Sequence, residues 1–532
     1  SQSRNYFSDE PDKYLVGHEL NPRLRGQLTG RPARTRTTLA TSDRSIRPLM
    51  TIGDGVLWVG NDDRVHYTSD GTTWTSVSVA DTGINALDAA YFITAMAGDH
   101  EFAYYAAYHS SGTDERVIMR IGGTAATDVG VALTAETSAE GTRPYPGMCT
   151  LNGKLYAWTG TKLVEHDDPG QATVPLAAGE IRTVYNTGED PANKNPFSGA
   201  WFADCFATET SVIAFYSTVG RGRVYEYRRG AGRPFWTPPV GFTIKSGCYT
   251  NGVTYIFGRW GGDSNDSGAG AIYAVPMDTL RPIFVGYVRR QVDEYVQMQE
   301  AASSYGNQVL FSGSWDGRIM IYDLDQDAIT MLDDLEDSTA DSLDFDSNPS
   351  ERVGALHTYG TGRYVVCYSP DGIGNADLQV LRYSEDDPAS REDGLNTTNY
   401  SANLDAYFET PRWDFSYPLE KKVLVGFHLM FVPLVTNQTI EVEYSVDDAA
   451  YVTTLADVTS ATSGATAGRV FQSVSVAGGS VSFHQLKFRV RLTSSSTAQT
   501  PILLAVGAEA KLVRKREEWD VIVRMKDELS RQ

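Results

Sequence analysis

The densest chemistry in the sequence is Gly220–Gly232 (GRGRVYEYRRGAG), where Arg221, Arg223, Arg228 and Arg229 interleave with Tyr225 and Tyr227. Cations and rings mixed in this way can hold a single nucleic-acid strand by ion pairing and stacking. On a strand, however, alternation divides them between two faces. The run is therefore read as a hairpin facing an acidic neighbour. Asp323–Asp334 (DLDQDAITMLDD) opens like a calcium loop, but Ala328 stands where the sharp turn needs glycine and the closing Glu is missing. Asp263–Gly268 (DSNDSG) is another acidic turn. Both are read as solvated loops. The eight histidines are scattered, and neither GxSxG nor HExxH occurs. No paired-carboxylate or nucleophile–base set can be read along the chain. No catalytic residue, cofactor or metal site is expected, and the chain is expected not to be an enzyme.

The four cysteines are Cys149, Cys205, Cys248 and Cys367. The first three stand just before a turn in three repeats. They are read as small buried apolar residues, too far apart across neighbouring repeats for a disulfide, which needs Cα atoms within about 7 Å.

Those repeats are the elements that must position any chemistry. Seven times a small-residue strand, a tight turn and an aromatic or β-branched strand recur. Arg47–Gly60, Tyr91–Ala107, Tyr145–Gly160, Trp201–Ser217, Ile244–Arg259, Met298–Gly313 and Val353–Ser369 carry them. A period near 51 residues with internal hairpins predicts a β-propeller of about seven four-stranded blades. Residues 35–41 (TRTTLAT) alternate and suit a strand that closes the ring, which would remove an open sheet edge.

After a polar linker the rhythm changes. Seven or eight strands within about 110 residues predict a jelly-roll-like β-sandwich. The fold class is therefore all-β. The expected division is an extended arm over 1–34, a propeller over 35–392, a linker over 393–404, a sandwich over 405–513 and a docking segment over 514–532.

The net charge of −21 argues against a grip on nucleic acid through phosphate neutralisation. The charge is uneven: residues 1–47 hold nine Lys/Arg against five Asp/Glu, and residues 323–346 hold ten acids and no base. The tail from Lys511 holds seven bases against five acids. Basic ends on an acidic body suggest docking to complementary neighbours. The candidate docking residues are Arg23, Arg25, Arg31, Arg34, Arg514, Arg516, Trp519, Val521 and Val523. Deleting residues 1–32 is expected to leave a folded protein that fails to assemble. No run is long and apolar enough to span a membrane, and the first twenty residues lack the apolar core of a secretory signal.

Three local resemblances refine this. Ser69, Asp70, Gly71, Thr73 and Trp74 (SDGTTW) resemble the Asp-box hairpin of sialidase-like propellers. Phe311–Asp323, with Ser314, Trp315, Asp316 and Gly317 at its turn, resembles a strand step of a WD40 blade. Both imply structural hairpins. A sialidase would also need three arginines, a Tyr–Glu pair and an Asp acid. Arg47, Arg143, Arg221, Arg223 and Arg259 are available, but no spacing groups them. Thr410–Asp414 (TPRWD), Lys421–Phe431, Thr439–Asp448 (TIEVEYSVDD), Ala450–Leu455 and Glu517–Asp527 (EEWDVIVRMKD) resemble a module of bacteriophage tail proteins, with Tyr451 where that family has Trp.

That resemblance implies a structural tail subunit of nozzle or tail-tip type, assembled in the host cytoplasm and located in the virion. It implies a homo-oligomeric ring with tail or adaptor partners and transient, non-specific passage of viral DNA. Asp323, Asp325, Asp327, Asp333 and Asp334 are the candidates for an acidic channel wall. The alternative is a carbohydrate-binding or glycan-cleaving propeller, in which Trp201, Trp236, Trp260 and Trp315 cradle sugar rings and a host-surface glycan is the partner.

Overall fold

The computed structural model describes the strands and most tight turns between residues 16 and 521. Residues 1–15, 40–48, 79–90, 123–130, 137–145, 168–180, 188–200, 261–269, 289–301, 335–351, 384–403 and 522–532, with shorter loop segments, are outside that description.

Seven four-stranded antiparallel sheets form the propeller. Blade 1 starts at Leu49–Gly53, blade 2 at Tyr91–Gly98, blade 3 at Gly147–Leu151 and blade 4 at Trp201–Ala207. Blade 5 starts at Phe242–Thr250, blade 6 at Ala302–Tyr305 and blade 7 at Arg352–Thr358. These first strands lie side by side in a closed ring, the last against the first. Blade 7 takes three strands from the end of the propeller sequence, and its fourth is Arg34–Leu39, paired with Leu378–Tyr383. A chain entering the ring thus closes it with its own leaving segment.

Local chemistry explains the hairpins. Asn152–Gly153 and Asn251–Gly252 both adopt positive φ, the geometry of two-residue turns whose twist matches the flanking strands. Blade 2 turns differently: Asp99 Oδ1 accepts the amides of Glu101 and Phe102, and its Oδ2 accepts the Tyr104 hydroxyl. Blades pack through interdigitated aromatic and aliphatic layers. Trp58, Trp158, Phe215, Phe242 and Phe257 are among the largest fully buried side chains. The inner strands approach so closely that a Cβ on Gly147 would lie 2.4 Å from the Cys205 amide nitrogen of the next blade.

The second domain is a two-sheet sandwich. One sheet runs Val16–His18, Leu404–Glu409, Leu486–Ser494, Gln438–Val446 and Val452–Thr453, with Val458–Thr459 beside it. The other runs Val470–Ser475, Lys422–Phe431, Leu503–Leu512 and Glu518–Val521, with Val481–Phe483 beside it. Leu486–Ser494 alternates buried and half-buried at every residue, as a strand with one face on a core does. Leu424, Phe427, Leu429, Phe431, Phe488 and Leu492 are fully buried between the sheets.

Two placements change the expected outline. Val16–His18, Leu20 and Leu28, expected within an extended arm, belong to the sandwich: Val16–His18 pairs with Tyr407–Glu409, and Leu20 and Leu28 are buried in its core. The same segment lies against Ala328–Asp334, the outermost strand of blade 6. At the other end Glu518–Val521 pairs with Ala508–Lys511 of its own chain.

Candidate functional site

Charged chemistry concentrates at the seam between blades 3 and 4. On blade 3, Tyr156, Glu165 and Arg182 stand directly opposite one another on the second, third and fourth strands. The period of two puts all three on the face turned to blade 4, where Cys149, Cys205, Tyr225 and Tyr227 share one buried cluster.

Glu165 is 3% exposed and holds two cations on one oxygen. Lys154 Nζ donates at 3.1 Å, and Arg182 donates from Nη2 at 2.6 Å and from Nε at 3.2 Å. Lys154 also donates to Asp167. That bond holds the Asp167 carboxyl below the usual range and, with Glu165, keeps the Lys154 ammonium protonated to higher pH. Burial, then the Glu165 carboxylate, pushes the Tyr156 hydroxyl far up, and Tyr227 rises for the same reasons. Both phenols stay neutral donors at any physiological pH. The network contains a Tyr–Glu pair and an arginine. It sits at the end of the blade where the first and third hairpins emerge, beside the Asn152–Gly153 turn, with its carboxylate saturated by cations.

The inner strand of blade 4 carries a second unusual group. Asp204 is half-buried against Gly147 and accepts the Cys205 amide at 2.7 Å. Burial outweighs that bond and pushes its pKa up to about 7. A third cluster lies on the outer face of the sandwich. Arg489 bonds Glu409 and Glu443 and stacks on Tyr407 at 4.6 Å and Tyr451 at 4.4 Å. Among the described residues no group of three or more His, Cys, Asp or Glu could hold a metal ion.

The residues singled out in the sequence fall as follows. Asp70 Oδ1 accepts the Thr73 amide at 2.7 Å and the Thr68 hydroxyl at 3.0 Å; Ser69 is exposed, and Trp74 packs half-buried between blades 1 and 7. Gly71, Ser314, Trp315, Asp316 and Gly317 lie outside the described residues, as do Arg23, Arg25, Arg31, Arg514, Arg516, Val523, Asp325 and Asp327. Arg34 is opposite Tyr383 in blade 7, and Trp519 and Val521 are opposite Ala510 and Ala508.

Asp323 requires a correction. It is 4% exposed, ends the third strand of blade 6 and accepts from Gln308 Nε2, so it cannot present its charge to a channel. Asp333 and Asp334 end the outermost strand of that blade. Trp236, 8% exposed, and Trp260, half-buried, pack with Phe242 rather than forming an open sugar platform.

Cys149, Cys205 and Cys248 are buried and free of disulfides, as the sequence suggests. Cys149 points forward to blade 4 and Cys205 points back to blade 3, so the two side chains share one buried cluster. Similar sequence positions concealed a difference of one residue in phase, which reverses a side chain on a strand. Glu165, Arg182 and Lys154 were missed because they come together only through cross-strand register.

No family model matches the chain, and no curated protein matches it. Solved propellers share the fold. A GH74 enzyme from Niastella koreensis is 14% identical with a TM-score of 0.43, covering 64% of this chain and 55% of its own. The Trypanosoma rangeli sialidase is 10% identical with a TM-score of 0.38, covering 89% and 96%. The β-propeller domain of Myceliophteria thermophila Cps50 (Swd1) is 12% identical with a TM-score of 0.41, covering 66% and 100%. The chain thus spans little more than half the length of the GH74 enzyme. These likenesses show the fold alone. With two enzymes among them, the expectation that the chain is not an enzyme is withdrawn.

Proposed function

We propose that the chain is a structural subunit of a bacteriophage tail, of nozzle or tail-tip type, working as a rigid block in a ring of copies. One observation carries this reading: the chain crosses between its two domains twice. Val16–His18 lies in the sandwich, Arg34–Leu39 closes the propeller, and the chain is in the sandwich again from Leu404. Such a double crossing resists hinge motion, as a load-bearing ring requires. Phe471, 78% exposed on the edge strand Val470–Ser475, supports contact with a neighbour along that edge. Electron microscopy of the purified protein, alone and with phage particles, tests the reading. Rings, or density on a tail, support it; monomers that never join a particle overturn it.

A second reading is a glycan-binding or glycan-cleaving propeller. Phe284 and Tyr287 favour it. They are 40% and 56% exposed on the outermost strand of blade 5, with ring centroids 4.8 Å apart, an aromatic surface of the sort sugar rings stack on. A glycan array and hydrolysis of model glycosides test this reading. Binding that is lost in Tyr287→Ala supports it.

A further inference from the structure

We infer that Cys149 and Cys205 are a modification site: hydrogen peroxide joins them into a disulfide that locks blade 3 to blade 4. The placement rests on three observations. The two thiols lie in one buried cluster. The strands that carry them are neighbours in the inner ring, and Gly147, two residues before Cys149, leaves no room for a Cβ against the Cys205 backbone. Neither thiol is bonded now, and Cys248 faces the blade 5–blade 6 seam, away from both.

The chemistry balances with peroxide alone. One thiol loses its proton, and its sulfur attacks a peroxide oxygen. The O–O bond breaks and, with that proton, one water leaves, giving a sulfenic acid. The second thiol displaces the sulfenic hydroxyl as a second water, and the S–S bond forms. Two electrons have passed from the two sulfurs to the peroxide. At 7% and 3% exposure the thiols admit a small oxidant better than a bulky disulfide donor. Burial, then the Cys149 thiol beside it, raises the Cys205 pKa, so the reaction quickens with rising pH.

The test treats the full chain with dilute hydrogen peroxide, alkylates the remaining thiols in denaturant and maps the peptides by mass spectrometry. The expected product is a Cys149–Cys205 linked peptide, two hydrogens lighter than its parts, with Cys248 and Cys367 alkylated. The melting temperature of the oxidised protein should rise by about 3 °C, the scale of a loop-closing bond in a chain of this size. The rise should vanish with dithiothreitol, and Cys205→Ala should never show it. Alkylation of both Cys149 and Cys205 after peroxide overturns the inference. So does a sulfinic acid on either, or a bond from either to Cys248 or Cys367.

Discussion

Leu28 and Leu503 exchange two backbone hydrogen bonds, Leu28 N to Leu503 O at 3.0 Å and Leu503 N to Leu28 O at 3.1 Å, across nearly the whole length of the chain. The N-terminal segment is thereby part of the sandwich. Gly30 adds a bond from its amide to Thr500 Oγ1 at 3.1 Å. Deletion of residues 1–30 should therefore destabilise the sandwich by at least about 3 kcal/mol, from the loss of two buried leucines alone. Urea unfolding and limited proteolysis between 404 and 512 would show it. An unchanged midpoint would mean that the segment only rests on the surface. This differs from the expectation that deleting residues 1–32 leaves a folded protein that only fails to assemble.

The Glu165 network should respond unequally to its members. Glu165→Ala removes the acceptor shared by Lys154, Arg182 and Tyr156 and should cost about 2 kcal/mol. Arg182→Ala should cost less, because Lys154 still neutralises the carboxylate and Arg182 is itself 59% exposed. Denaturant midpoints of the two variants settle the order. Equal losses would argue against a shared acceptor.

Asp204 predicts a pH dependence whose sign is unusual for an aspartate. Its folded pKa, about 7, lies above the ordinary value of 3.8, so the folded protein holds the proton more tightly. The stability this confers is complete below about pH 4 and is lost as pH rises through 7. The total is at most about 4 kcal/mol. Asp204→Asn should remove this component and melt higher than the parent at pH 8. A parent whose stability rises between pH 5 and 8 just as the variant's does would refute the assignment.

Lys422 is fully buried in the sandwich, and its ammonium donates to three carbonyls, of Tyr417 at 2.6 Å, Glu420 at 2.8 Å and His484 at 2.9 Å. Burial lowers its pKa. Lys422→Met keeps most of the volume but strands the three acceptors and should cost about 3 kcal/mol, read from calorimetry of the sandwich transition. Because the folded lysine gives up its proton at lower pH than the unfolded chain does, the parent gains stability as pH rises toward 10.5, and the loss should be larger at pH 10 than at pH 7.

The blades were legible because each writes its own turn and strand pair into consecutive residues. Asn152–Gly153 and Asn251–Gly252 mark hairpins without reference to anything distant, and Arg34–Leu39 alternates visibly. The sandwich strands from 404 to 512 were legible for the same reason. What could not be read was phase and partnership. Nothing local distinguishes Cys149 from Cys205, yet one faces forward and the other back. Asp323 looks like part of a solvated acidic run until its strand register buries it beside Gln308. Leu20 and Leu28 sit among Pro, Gly and Arg, and only distant partners explain their burial: Ala328–Asp334 and Leu404–Glu409 beside Leu20, and Leu503 beside Leu28.

The strand Arg34–Leu39 also sets a timetable. On the ribosome it emerges before any full blade, while its partner Leu378–Tyr383 follows only after six blades have been made. At roughly 5–20 residues per second that is a delay of tens of seconds. Val16–His18 waits still longer for Leu404–Glu409. During that interval two unpaired strand edges of one chain stand ready to pair with those of another on the same messenger. Slow synthesis would favour exchange of these strands between nascent copies, and fast synthesis would favour closed monomers.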